Sequence, residues 1–428
     1  MGRGGDGPIK FDSNDRTTEE TDKIVKEVFI DGRYYDVSTL KHPGGSVINY
    51  YSGKEIDATE VFFNFHYRSK KAKILLNRLP SRESTQAIVE KSGVVGQKDL
   101  MADFSELTRQ FEKEGLFKPN YAHVVYRAME IIAFFSLGFY FLSQGQFLLF
   151  AVFVGIGEGR SGWFMHEGGH YSLTGNINID CAIQILFYGV GCGMSGGWWR
   201  NQHNKHHSTP QKLGHDVDLD TLPLVAFSKK VVQKIGAPLK SWIKLQAFLF
   251  PVVTTSLVAL GWQFYLHPRY MLRTKKYSEM LALAVRMTLW SVLVTAQYGL
   301  LQSALLYLAV NWFGANYIFL NFAVSHTHLD VVAKDDTGTD WVRYSSLYTM
   351  NVSSGPLKCI DWWMSYLNFQ IEHHLFPSMP QFRHPQISPR VKAFFEKHGL
   401  PYQQRSYVDA MWVTFQNLHK VGSDVFLG

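Results

Sequence analysis

Residues 122–170 read AHVVYRAMEIIAFFSLGFYFLSQGQFLLFAVFVGIGEGRSGWFMHEGGH. Two apolar stretches, Ala122 to Leu142 and Gln146 to Met165, flank the short polar turn Ser143-Gln144-Gly145-Gln146. Each is long enough for a helix that spans hydrocarbon, so the segment predicts a transmembrane hairpin that ends on His166 and His170. A second hairpin is expected over Met280 to Leu300 and Ala304 to Phe322. A fifth apolar stretch, Phe248 to Leu266, is preceded by Lys229, Lys230, Lys240 and Lys244 and followed by Arg269, Arg273, Lys275 and Lys276. Both flanks therefore belong on the cytosolic side. With Pro251 near its start, this stretch reads as a re-entrant or interfacial segment, which leaves four crossings and one shared face for everything polar between them.

That face is rich in histidine. Seven of the 17 histidines fall in three clusters, His166 and His170 in HEGGH, His203, His206 and His207 in HNKHH, and His373 and His374 in QIEHH. Spacings of three and four residues put side chains on one helix face, so each cluster can aim several imidazoles at one point. An imidazole set with no nearby cysteine argues against an iron–sulfur cluster and against a structural thiolate zinc site. Seven donors exceed the needs of one zinc, so two ions sharing the set is the simpler count, with iron the metal if the chemistry is oxidative.

Composition agrees with a chain that is part membrane-embedded and part water-exposed. Of 428 residues 46% are hydrophobic and 15% aromatic, yet mean hydropathy is only -0.09. The net charge of +7 sits beside apolar segments instead of in one basic cluster, which selects anionic lipid headgroups over nucleic acid as the partner. Cys181, Cys192 and Cys359 are too few and too scattered for a disulfide framework, consistent with a reducing compartment. The N-terminus is polar through Asp22 and shows no signal region, so membrane attachment is expected from the internal segments.

The first 95 or so residues differ in kind. Val28-Phe29-Ile30, the Asp31-Gly32 turn and Tyr34-Tyr35-Asp36-Val37 read as a short hairpin, followed by Leu40-Lys41-His42-Pro43-Gly44-Gly45 and a mixed helical pattern through Leu79. The His-Pro-Gly-Gly sequence resembles the haem signature of cytochrome b5, and His66 stands where that family has its other axial ligand. Phe65 and Tyr67 flank His66 where small residues are common in that family. Two axial histidines leave haem iron no open position and favour electron transfer, so the resemblance implies an electron-carrying haem b held by His42 and His66.

This N-terminal part, HxxxH, HxxHH and a glutamine-led QxxHH together resemble the front-end fatty acid desaturases, over nearly the whole chain. Asp216-Val217-Asp218-Leu219-Asp220, Ser325-His326-Thr327-His328 and Asn368 to Pro377 are similar to segments of that family. The resemblance implies a small α+β cytochrome b5-like haem domain fused to an all-α membrane desaturase domain with four transmembrane helices and a cytosolic histidine-box cap. The expected division is a polar tail over 1–23, the haem domain over 24–95, a linker over 96–120 and the desaturase domain over 121–428. It implies two iron ions, dioxygen as co-substrate, and NADH–cytochrome b5 reductase as donor. The substrate is an unsaturated acyl-CoA or a phospholipid-bound acyl chain. The expected address is the endoplasmic reticulum membrane, with the N-terminus and active site cytosolic. His326, just past the fourth helix, is a further ligand candidate, and Gln370 is read as a ligand through its amide oxygen, although orienting a water is the other role open to it.

Glu167, Glu372, Asp216 and Asp220 are candidates to fix ligand tautomers from behind, with a solvated charge as the plain alternative. His123, His215, His267, His384, His398 and His419 lack cluster spacing and read as surface or interface residues, and the Trp198-Trp199 and Trp362-Trp363 pairs as interfacial aromatics. Three rivals stand beside the desaturase reading. His166-Glu167-Gly168-Gly169-His170 matches the HExxH of zinc proteases, but its glycines weaken the helix such a site needs and five clustered histidines would go unused. A haem domain on a lipid-binding anchor is separated by alanine at His206 and His207, which would leave function intact. A sphingolipid long-chain-base delta-8 desaturase shares the same signals. For the regiochemistry, similarity around His166 to Gln211 puts delta-6 ahead of delta-5, with delta-8 or delta-4 behind.

Overall fold

The computed structural model describes residues 26–53, 56–84, 98–219, 221–232, 237–336 and 339–424, so the expected polar tail over 1–23 lies outside it. The expected hairpin forms because Asp31 and Gly32 both take positive φ, 49° and 74°, the turn whose twist matches antiparallel strands. It joins β1 (Glu27–Ile30) to β2 (Arg33–Asp36), with Val28 opposite Tyr35. Helices α1 (Thr59–Phe65) and α2 (Lys70–Leu76) follow, and β3 (Ser81–Glu83) returns to the free edge of β2.

The stretch expected as a linker, 96–120, is folded for most of its length. Leu100, Phe104, Leu107 and Phe111 recur at helical spacing, and α3 (Lys98–Lys113) buries that stripe, with both phenylalanines fully enclosed. Phe104 stacks on Phe376 at 5.3 Å and meets Trp341 edge-on at 6.1 Å. One apolar core thus joins Val28, Ile30 and Tyr35 of the N-terminal module, α3, and Ile371, Phe376 and Phe395 of the C-terminal third.

Glu60 of α1 lies at this junction, buried, with the Ser105 hydroxyl donating to its carboxylate. Burial pushes its carboxyl up to about 7 against the opposing pull of that hydrogen bond. A raised acid holds its proton longer in the folded state, so its contribution to stability is lost as pH climbs from the ordinary carboxyl range through about 7. Glu60→Gln keeps the Ser105 contact without the charge. Its apparent Tm should match the parent at pH 4 and exceed it at pH 8, by the equivalent of at most about 3 kcal/mol. Equal Tm differences at both pH values would show that Glu60 carries no such penalty.

Among the described residues four helices are long and apolar enough to cross a bilayer: α4 (Tyr121–Ser143), α5 (Phe147–Gly169), α8 (Gln246–Arg273) and α9 (Tyr277–Ala323), with α6 (Ile177–Gln184) and α7 (Gly196–Ser208) between the second and third. Val125, Met129, Ile132 and Leu137 of α4 and Leu281, Val285, Leu289 and Val292 of α9 are exposed. Faces so apolar belong against lipid, and the protein is membrane-embedded. The α4–α5 turn closes on Gly145 at φ 71°, where the Gly145 and Gln146 amides satisfy the Leu142 and Phe141 carbonyls at the helix end.

The second expected hairpin is present as α9, which breaks at Gly299 (φ 77°, ψ 169°) with Leu300 and Leu301 exposed at its tip. The segment read as re-entrant or interfacial is one continuous helix, α8, and Pro251 does not break it. Both its ends are nevertheless tied to the polar cap. Gln246 exchanges hydrogen bonds with Ala226 and donates to the Leu418 carbonyl, while His267 Nδ1 accepts the Ser195 amide at the start of α7. The cap is completed by α10 (Trp341–Leu347), α11 (Gln370–Leu375), α12 (His384–Lys397) and α13 (Tyr407–Asp424). Between the apolar helices, Arg160 is paired with Glu130 at 2.5 Å and Arg286 with Glu158, both arginines being buried.

Candidate metal centre

The three histidine clusters and His326 meet at one place. His166 near the end of α5, His170 capping that helix, His203 and His207 one turn apart on α7, and His373 of α11 form a first group, their donor atoms all within 4.8 Å of one another. His206, His326 and His374 form a second under the same limit. Neighbours in sequence thus divide between groups. Side chains at i and i+1 point about 100° apart on a helix, so His206 and His207 of α7, like His374 and His373 of α11, point to different sides. The groups touch where the His207 and His374 rings stack at 4.1 Å.

His207 Nε2 lies 3.0 Å from Nε2 of both His203 and His373. Two nitrogens bonded to one ion at about 2.1 Å and near a right angle stand about 3 Å apart, so this spacing fits a shared cation. His166 Nε2 and His170 Nε2 are buried with no hydrogen-bond partner, a costly arrangement that a metal ion would satisfy. The all-imidazole donors suit iron, zinc or copper. Burial, reinforced by the neighbouring rings, holds His203, His207, His373 and His374 well below the usual histidine value, so they are neutral donors. His206 differs: burial pulls it down, but Asp216 and Asp218 outweigh that and hold it up at about 9.

Several neighbours fix these rings. Asp216 accepts from His206 Nδ1 at 3.0 Å and is itself held by the Gln211 and Asp218 amides. The Tyr348 carbonyl faces His326 Nδ1 at 3.2 Å, and the buried Gln370 side chain lies beside the same ring. The other expected carboxylates behave differently. Glu372 accepts from Asn351 and Tyr402 and so anchors α11, while Glu167 accepts the Gln381 amide and faces Arg127. Neither touches a clustered imidazole through a hydrogen bond, and Asp220 lies outside the described residues.

Sequence spacing missed four residues. The Gln381 side-chain amide nitrogen lies 2.8 Å from His166 Nδ1; the flipped amide, which has the same shape, would put the oxygen there to accept the ring proton and leave Nε2 facing inward. Trp199 stacks on His203 at 4.2 Å. A Cβ at Gly169 would meet that indole at 2.1 Å, so the glycine in HEGGH permits close packing of α7, and the helix runs through Gly168 and ends on it. His384 and His267, expected at a surface or interface, are fully buried, His384 with its ring 5.9 Å from His373. No local periodicity marks such contacts.

In the N-terminal module the His42 and His66 rings face each other at 6.1 Å and at right angles. Two metal–nitrogen bonds of about 2 Å plus about 1 Å from each nitrogen to its ring centre give about 6 Å, so the gap would fit one iron held between the two rings. The Phe62 carbonyl occupies His66 Nδ1 and leaves Nε2 for that role. Burial lowers both rings, His66 to about 4, which keeps the donors neutral.

Comparison with known proteins agrees with this arrangement. The chain is similar to an "Acyl-lipid (8-3)-desaturase" of Rebecca salina, 54% identical over 95% of this chain and 93% of that one. It resembles a second protein of that description from a Thraustochytrium species, 44% identical over 99% and 98%, and more distantly the "Delta(6)-fatty-acid desaturase fat-3" of Caenorhabditis elegans, 26% identical over 92% and 96%. The family profile described as fatty acid desaturase matches residues 143–406, the stretch that carries all eight clustered histidines. With apolar helices on one side of those histidines and a polar cap on the other, the chain belongs to the fatty acid desaturase family and is a membrane-embedded oxidoreductase.

Proposed function

We propose that His166, His170, His203, His206, His207, His326, Gln370, His373 and His374 hold two iron ions, and that the protein is a front-end desaturase. It would place a cis double bond between the carboxyl end and an existing double bond of a polyunsaturated acyl chain. The observation that carries this is the division of eight imidazoles into two touching groups at the foot of the apolar helices. Iron with dioxygen supplies the oxidant that an unactivated methylene requires and that side chains cannot provide. The chain's own residues do the rest. The imidazoles fix the ions, Asp216, Gln381 and the Tyr348 carbonyl orient the rings, and the surrounding burial excludes water.

Electrons would enter through a haem b held by His42 and His66, supplied from NADH by cytochrome b5 reductase. The lysines and arginines flanking α8 support a cytosolic cap and N-terminus, at the endoplasmic reticulum. For the position of the new bond, we read "(8-3)" as three carbons nearer the carboxyl end than a bond at carbon 8. That favours delta-5 over the delta-6 expected from sequence, and "acyl-lipid" favours a lipid-bound chain over acyl-CoA. The zinc protease reading is weakened because the would-be base Glu167 is engaged by Gln381 and Arg127.

Yeast expressing the protein, fed dihomo-gamma-linolenic, linoleic or alpha-linolenic acid in separate cultures, tests this by gas chromatography. Arachidonic acid from the first feed is the expected result. Gamma-linolenic or stearidonic acid would establish delta-6 instead, and no new acid from any feed would overturn the acyl reading in favour of sphingoid bases.

A further inference from the structure

The N-terminal module sits directly on α7, the helix that carries His203, His206 and His207. Tyr51 donates to the Ser208 carbonyl at 2.8 Å, and Tyr50 stacks on His215 at 4.1 Å while donating to its carbonyl. A Cβ on Gly45 would come within 2.9 Å of the Asn201 amide. At the centre of this contact is Phe65, the residue joined by a peptide bond to His66. Its ring meets the His207 ring edge-on at 6.3 Å and lies 6.4 Å from Trp341. Trp341 in turn is buried and donates its indole N–H to the His207 carbonyl at 3.1 Å.

We propose that Phe65 and Trp341 form the electron bridge between the two redox sites of this chain, an inference that rests on the haem and iron reading above. One covalent step and one ring contact connect His66 to His207, with Trp341 closing the gap beside them. Electron tunnelling weakens steeply with the open distance it must cross, so filling that gap with aromatic rings shortens the effective path. In each transfer one electron leaves a ferrous haem, which becomes ferric, and reduces a ferric ion at the histidine cluster to ferrous. The haem is then reduced again by a flavoprotein reductase, or by dithionite in vitro. This gives a purpose to the bulky residue that precedes His66.

The test is stopped-flow absorbance of the full-length protein in detergent. The haem is reduced with stoichiometric dithionite and mixed with oxygenated buffer containing the acyl substrate, and the iron-depleted protein gives the background of direct haem oxidation. Phe65→Leu and Trp341→Phe should each slow reoxidation several-fold while the haem spectrum, haem midpoint potential and iron content stay unchanged, and Phe65→Trp should restore the rate. A combined Phe65→Leu and Trp341→Phe variant should be slower than either. Reoxidation at the parental rate in both single variants and the combined one would overturn the bridge. A parent protein that purifies without haem absorption bands would instead overturn the reading beneath it, and the bridge with it, so the two failures are told apart in the unsubstituted protein.

Discussion

His207→Ala should reduce desaturation to background and lower iron binding by more than about 100-fold, since loss of groups that only support a ligand already costs about 10–100-fold. No other imidazole is placed like it among the described residues. Its Nε2 is 3.0 Å from two other ring nitrogens, its ring stacks on His374 of the second group, and its carbonyl receives the Trp341 indole. Alanine keeps that carbonyl and the helix, so the loss should fall on the metal centre and leave the spectrum of the proposed haem intact. Iron measured by mass spectrometry against haem absorbance makes the comparison within one sample. His419→Ala, at an exposed position on α13, should change neither quantity. Full iron in the His207 variant would remove it from the ligand set.

Arg286→Met should destabilise the protein by about 3–5 kcal/mol, the usual consequence of leaving one buried charge without its partner. Arg286 bonds Glu158 across the interface of α5 and α9 and also donates to the Gly191 carbonyl, which follows the α6 segment. With hydrocarbon outside and helices around it, Glu158 has no water to replace that partner. Glu158→Gln combined with Arg286→Met removes both charges and should recover most of the loss. Thermal unfolding in detergent of the two single variants and the double one closes the cycle, and strictly additive losses would show that the pair is not coupled.

The parts of this molecule legible in its sequence are those with a period. Apolar runs gave the membrane helices, and spacings of three and four gathered the histidines into groups that the fold then brings together. His206 and His207 looked like one motif, yet the helical rotation between them divides them between two sites. Gln381 and Trp199 stayed hidden because each meets its histidine through tertiary packing, with no signal near it in the chain. α3 was obscured by the polar composition around it, although its stripe from Leu100 to Phe111 is regular. Pro251 suggested a broken segment, but α8 accommodates it near the start of a helix held at both ends.

The apolar core shared by the sheet, α3 and the cap gives the fusion of the two halves a mechanical meaning. A carrier that arrives by diffusion must find its partner, orient and leave in every cycle, and its rate depends on how much of it the cell makes. Here the docked state is built into the fold, with Phe104 and Trp341 as its rivets. On the proposed function, joining the two halves in one chain would exchange a collision for a fixed joint: electron supply to the histidine cluster would be independent of carrier abundance, and the traffic left would be between the reductase and the outer face of the N-terminal module.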